Sequence, residues 1–346
     1  MTIYWCLFGI AAFGAIAPGR LPKNQARWVW FGVGTVFALI MGFRFEVGAD
    51  WHRYLEHFQL IASMSFMEAL TFKDPGYYSA SWLVDRLGGN KSLVNFFCAV
   101  MLMWGTVSFS RRQPYPWISL LAAVPYLLIV VGMGYTRQGA ALGFTLLGLV
   151  ALSESRVRGF AAFIILGALF HKSAILLLPI AALVSNKNRL TVGLSVVMLI
   201  VLSYYVLIQD SAEFLWNAYI EEQMQSEGAA IRVAMNAVPA VIFLIFRKRM
   251  VPEAQERTLW VWMALFSLAC VPMLSLSSTA VDRVALYLIP LQMYVFSRLP
   301  RLGRSADVRA AMVVAIVGYF FLIQATWLNF ASHAQYWLPY RFAVFH

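Results

Sequence analysis

Residues 43–58 read FRFEVGADWHRYLEHF, and Arg44, Glu46, Asp50, His52, Arg53, Glu56 and His57 fall within 14 residues of it. Carboxylates and imidazoles at this density suit proton transfer. Guanidinium forks suit phosphate and carboxylate recognition. Three more stretches carry such groups. GMGYTRQGAALGF (132–144) holds Arg137 and Gln138 between two apolar runs with almost no loop. ALFHKSAILLLP (168–179) sets His171, Lys172 and Ser173 in the middle of 26 otherwise mostly apolar residues. SSTAVDRVALYLIP (277–290) carries Asp282 and Arg283, with Tyr287 one helical turn further on the face of Arg283. Arg232 opens a further apolar run. In helical form the first stretch puts Glu46, Asp50 and Tyr54 on one face, with Asp50, Arg53 and His57 as neighbours. Such a helix either rests on a membrane surface or walls a polar cavity.

The elements that must position these residues follow from composition. The 346 residues are 61% hydrophobic and 12% charged, and the mean hydropathy is +0.70, too apolar for an ordinary soluble domain. Apolar runs near 2–17, 28–43, 92–109, 117–133, 138–153, 159–170, 173–184, 191–208, 232–246, 259–276, 284–297 and 310–326 approach the length of a bilayer-crossing helix. They are continuous rather than alternating, so the fold class is all-α, a polytopic integral membrane protein in one multi-pass domain, 1–346. The first run lacks a basic leader and is read as a retained helix. Cys6, Cys98 and Cys270 lie singly in apolar runs and read as small core residues.

Charge fixes the orientation. Reading 159–170 and 173–184 as one helix gives 11 spans, and reading them as two helices meeting at His171 gives 12. With 12 spans and both termini extracytoplasmic, 17 of the 27 basic residues fall in cytoplasmic loops, among them Arg111, Arg112, Arg156, Lys187, Arg247, Arg298 and Arg301. Eleven spans would invert every later loop, so 12 is preferred. The net charge of +11 then reflects orientation and contact with anionic lipid rather than nucleic acid. The longer non-spanning segments, about 44–91, 209–231 and 327–346, fall outside. Arg44, Arg137, His171, Lys172, Arg232 and Arg283 all lie near that outer level. An arginine at membrane depth costs about 3 kcal/mol even on lenient scales. Four arginines there point to a polyanionic ligand from the outer leaflet, for which a lipid-linked pyrophosphate or a carboxylated sugar fits. The outer aromatics, including Trp51, Tyr54, Tyr77, Tyr78, Trp216, Tyr219 and Trp337, read as belt residues or sugar-stacking surfaces. The sequence holds no Walker loop, HExxH, GxSxG or paired Cys/His spacing, and no metal site is assigned.

FRFEVGADWHRYLEHF, DPGYYSASWLVDRLGGN (74–90), YTRQGAALGF, ALFHKSAILLLP, DRVALYLIP and a closing WLPYRF occur in that order. Together they resemble the EpsG family, which belongs to the Wzy-like polymerases of bacterial surface polysaccharides. The family's Arg-x-x-x-Gly-x-Asp-aromatic pattern falls on Arg44, Gly48, Asp50 and Trp51, where relatives often carry Tyr. Its Arg-Gln pair falls on Arg137 and Gln138, and its Phe-His-x-Ser on Phe170, His171 and Ser173.

The resemblance implies a GT-C-like polymerase or ligase fold of the bacterial cytoplasmic membrane with an outward-facing cavity. It also implies the joining of undecaprenyl-pyrophosphate-linked oligosaccharide repeats on the outer face, for O-antigen, capsule or exopolysaccharide. The donor carries its own energy in the glycosyl–pyrophosphate bond, so no soluble cofactor is expected. Membrane lipids, a chain-length regulator and a flippase are the expected partners. On this reading Arg137 and Arg283, helped by Arg44 or Arg232, hold the pyrophosphate, with Gln138 and Tyr287 beside them. Asp50, His171 or Glu46 serves as base. A lipid-linked oligosaccharide flippase would need internal repeats, and none is seen. A membrane O-acyltransferase would need an acyl-donor site among cytoplasmic loops that are short and mainly basic.

Overall fold

The apolar runs become helices because nothing else satisfies a backbone in an apolar medium. The computed structural model describes residues 1–17, 19, 22–184, 189–203 and 228–345. Lys187, Trp216, Tyr219 and most of the expected outer segment 209–231 lie outside the described residues. In chain order the helices that matter are α1 (Thr2–Ile16), α2 (Lys23–Gly42), α3 (Trp51–Ala62), α4 (Phe66–Thr71) and α5 (Pro75–Arg86). Then come α6 (Lys91–Ser110), α7 (Pro116–Gly134), α8 (Thr136–Ser153) and α9 (Val157–Phe170). After α10 (Pro179–Val184) and α11 (Arg189–Ser203) follow α12 (Ala229–Met250), α13 (Ala254–Met273), α14 (Ser278–Ala285), α15 (Ile289–Phe296) and α16 (Ala306–Phe330). By length and apolarity α6, α7, α12 and α16 can each cross a membrane, and α1, α9, Lys172–Val184 and Leu190–Leu202 are shorter apolar helices.

The sequence marks many of the boundaries. Asn90 caps α6 through its side-chain oxygen on Ser92 N at 3.0 Å. Ser65 and Glu68 close a reciprocal capping box on α4. Pro75 and Pro116 stand in first turns, where no N–H is missed. Between α9 and the next helical segment, His171 is extended (φ −157°, ψ 115°), so 159–184 is two helical pieces, not one.

α8 is the centre of the bundle, buried from Gln138 to Leu152. α6 and α9 flank it. Gly105 and Gly143 let α6 and α8 meet backbone to backbone, since a Cβ on Gly105 would stand 2.0 Å from the Gly143 carbonyl oxygen. Small residues at such crossings are how helices pack where no hydrophobic force operates between them. α7 carries Pro125, which cannot donate to the helix ladder, and runs as a π-helix over Val124–Val131. It joins α8 directly through Tyr135, the Cap residue between the two.

At one end of the bundle α3, α4 and α5 form a short layer, with α5 resting on α9 where Gly76 approaches Leu169 and Phe170. A two-stranded antiparallel pair, β1 (Arg44–Phe45) and β2 (Arg341–Phe342), ties the chain's last residues to this layer. Trp337 anchors that strap. Its indole N–H donates to Ile129 O at 3.0 Å, inside the π-helix, and Tyr4 donates to its carbonyl at 2.6 Å.

Candidate active site

Arg137 sits in the first turn of α8, at the end of the bundle covered by α3–α5. Its Nη1 donates to Asp74 Oδ2 at 2.6 Å, and Tyr78 Oη lies 3.5 Å from the same nitrogen. Asp74 reaches it because Asp74 precedes Pro75 at the start of α5. The rings of Tyr54, Tyr77 and Tyr78 stand 5.5, 6.0 and 5.9 Å from the guanidinium carbon, within cation–π range. Arg137 Nε is buried without a hydrogen-bond partner among the described residues. Burial pushes the Asp74 carboxyl up, while Arg137 and Lys172 pull against it.

His57 on α3 completes the tyrosine side, with Nδ1 2.8 Å from Tyr78 Oη. Burial first, then the charges of Lys73, Arg137 and Arg53, push His57 down to about 4, so it is neutral at pH 7. Burial and the neighbouring Arg137 and Arg53 likewise hold Lys73 below the usual lysine range. Among the described residues one buried carboxylate therefore faces several cations, a balance of charge that favours an incoming anion.

A second group adjoins the first. His171 Nδ1 lies 2.6 Å from Ser173 Oγ, and Ser173 Oγ lies 3.0 Å from Tyr287 Oη. A serine hydroxyl both donates and accepts, so the Ser173 hydroxyl ties the His171 ring to Tyr287 in one chain of hydrogen bonds. Gln138, next to Arg137, bonds Tyr287 and donates to the Arg283 carbonyl at 3.1 Å. The charges of Arg137, Arg283 and Lys172 all bear on His171.

A third group holds Arg232 and Asp282 in a two-pronged pair, Nε–Oδ1 2.5 Å and Nη2–Oδ2 2.8 Å. Tyr135 links this group to the others, since Arg232, Asp282, Asp50 and Arg283 all act on it.

The structure thus gathers Arg137, Gln138, His171, Arg283 and Tyr287, with Arg232 and Asp50 alongside. Two expected residues are placed differently. Arg44 is 1% exposed, and its donors go to Met41 O (2.5 Å), Val47 O (3.2 Å) and Thr136 Oγ1 (2.7 Å). It therefore braces the loop before α3 against the start of α8 rather than presenting its fork to a ligand. Glu46 is exposed, has φ 50° and pairs with Arg341 of the strap. The expected helical face of Glu46, Asp50 and Tyr54 does not form, because α3 begins only at Trp51. Gly48 explains why. Its φ is 106°, and a Cβ there would stand 2.6 Å from Met133 O, so the chain turns tightly against α7 instead of coiling.

Asp74 stands outside the residues expected to act, while Tyr78 is expected only as an outer aromatic and His57 only as one imidazole of the 43–58 stretch. The one signal for Asp74 was its place in DPGYYSASW, an Asp-Pro helix start. Among the described residues no group of three or more His, Cys, Asp or Glu could hold a metal ion.

A helical membrane protein with arginines, tyrosines and a neutral histidine gathered at one end of its bundle is the class that fold and site define. The chain matches the EpsG family model over residues 27–342, and it belongs to that family. No curated protein and no solved structure matches it.

Proposed function

We propose that this protein is a glycosyltransferase that polymerises polyprenyl-pyrophosphate-linked oligosaccharide repeats on the outer face of the bacterial cytoplasmic membrane. The topology is the 12-span one argued from loop charge, with both termini outside and the Arg137 end facing outward. The observation that carries the reading is the surplus of cations around Arg137 among the described residues, with His171 beside it, in a member of the EpsG family.

The chemistry follows from the groups. The acceptor sugar hydroxyl attacks the anomeric carbon of the donor glycan. The bond from that carbon to the pyrophosphate oxygen breaks, and its electron pair leaves with the pyrophosphate. Arg137 and Arg283 stabilise the charge that grows there, with Arg232, Gln138 and Tyr287 framing the head group. The hydroxyl proton passes to His171, or to Asp50, which is half-buried near Tyr135. Asp74 holds the Arg137 fork in one orientation.

The test is deletion of the gene, followed by gel analysis of surface glycan and extraction of lipid-linked oligosaccharide. Loss of long chains with single repeats left on the lipid is the expected result. An unchanged ladder rejects the reading.

A further inference from the structure

The end of the bundle opposite Arg137 holds a second polar cluster that the reaction does not use. α8 separates the two by 18 residues, or about 27 Å at the helical rise. At this far end a cavity of about 110 Å³ opens between α6, α8, α13 and α15. Three flat groups form one wall. The Arg298 guanidinium carbon lies 3.4 Å from the Tyr294 ring centroid, and that ring stacks on Trp260 at 3.8 Å with an 18° tilt. Glu256 Oε1 accepts from Tyr294 Oη at 2.8 Å and from Arg298 Nη2 at 3.0 Å, and Arg298 Nη1 donates to Gln113.

The cavity is rich in donors and poor in acceptors. Trp260 is 1% exposed, lines the cavity, and its indole N–H has no partner among the described residues. A buried donor left unbonded costs about 1–3 kcal/mol, and an acceptor entering at this wall offsets that cost. Arg112 lines the same space, with its Nε on Glu154 and Nη1 on Ser108 O. Two guanidinium groups line the cavity with one lining carboxylate, Glu256, among the described residues, and Glu154 pairs with Arg112 from outside the lining. Arg111, Arg156 and Arg301, all exposed, stand where the helices around the cavity end.

We propose that this cavity is a phosphate-binding site, recognising the phosphate of a phospholipid head group through Trp260, Arg298 and Arg112. On the proposed topology it faces the cytoplasmic leaflet, where basic pockets between helices take anionic head groups. The site is independent of the glycan chemistry, and it stands or falls without it.

The experiment is native mass spectrometry of the whole chain in detergent, with three separate probes: phosphatidylglycerol, diacylglycerol with the same tails but no phosphate, and inorganic phosphate. Phosphatidylglycerol should be retained and diacylglycerol should not. Trp260→Phe keeps the ring stack and removes the donor, and it should weaken retention about tenfold. Arg112→Gln, at an exposed position, should weaken it as well and serves if Trp260→Phe does not fold. Displacement of the lipid by inorganic phosphate would assign the site to phosphate from either source. Lipid retention untouched by phosphate would assign it to the head group. Equal retention of phosphatidylglycerol and diacylglycerol, or retention unchanged in both variants, overturns the proposal.

Discussion

Asp74 and Arg137 stand 63 residues apart in the chain and 2.6 Å apart in the fold, and their contact fixes the direction of the one arginine that opens the central helix. Removing either partner has a different consequence. Arg137→Ala should lower polymer formation at least about a hundredfold, the scale of losing one charged transition-state contact. Arg137→Lys should recover little, because an ammonium cannot reproduce the fork. Asp74→Asn should leave the cation in place but loosely aimed, with a smaller loss. In vitro polymerisation with purified lipid-linked repeats measures all three. Normal chain lengths from Arg137→Ala would remove the pyrophosphate role.

Arg44 should behave in the opposite manner. Replacing it with leucine strands the carbonyls of Met41 and Val47 in a buried site, at a cost of about 3 kcal/mol. Thermal unfolding in detergent should show a Tm for Arg44→Leu that is lowered in step with its loss of activity. A normal Tm with lost activity in Arg44→Leu would make it a ligand residue after all.

These two arginines show how much was legible. Both announce themselves as charges at the edge of an apolar run, and by type and place alone both point to one role, binding pyrophosphate. What separates them is whether backbone carbonyls or a half-open polar cluster lies within reach, and that depends on the turn at Gly48. The helices were legible because continuous apolar runs leave the backbone few alternatives, and the break at His171 showed as three polar residues in a run of 26. Asp74 was not, because its partner is a contact between α5 and α8 and no local spacing encodes it.

The Ser173 contact predicts a graded phenotype. Ser173→Ala frees the His171 ring to turn and should reduce turnover about tenfold with donor binding unchanged, as expected for losing a positioning hydrogen bond. Ser173→Thr should restore it. In a His171→Ala background the same change should do nothing more. An equal further loss in that background would show that Ser173 acts without the histidine.

His57 sets a pH dependence of stability. It titrates near 4 when folded and near 6.5 when unfolded. Between those values the unfolded chain binds the proton and the folded chain does not. Stability is therefore whole above about pH 6.5 and falls as pH drops toward 4. His57→Gln should flatten that part of a plot of unfolding temperature against pH. Identical slopes for both proteins would mean that other groups carry the effect.

The strap of residues 336–342 has a consequence for biosynthesis. Tyr336 accepts from Gly48 N at 2.8 Å, and Trp337 reaches into α7, so the loop that faces Arg137 gains its last support from residues the ribosome makes nearly 290 positions later. A nascent chain can insert every helix and still lack a finished site. Reporters fused to chains truncated before Tyr336 would score membrane insertion and miss assembly, and a bulky insertion directly after Phe342 would sit beside the working end of the molecule.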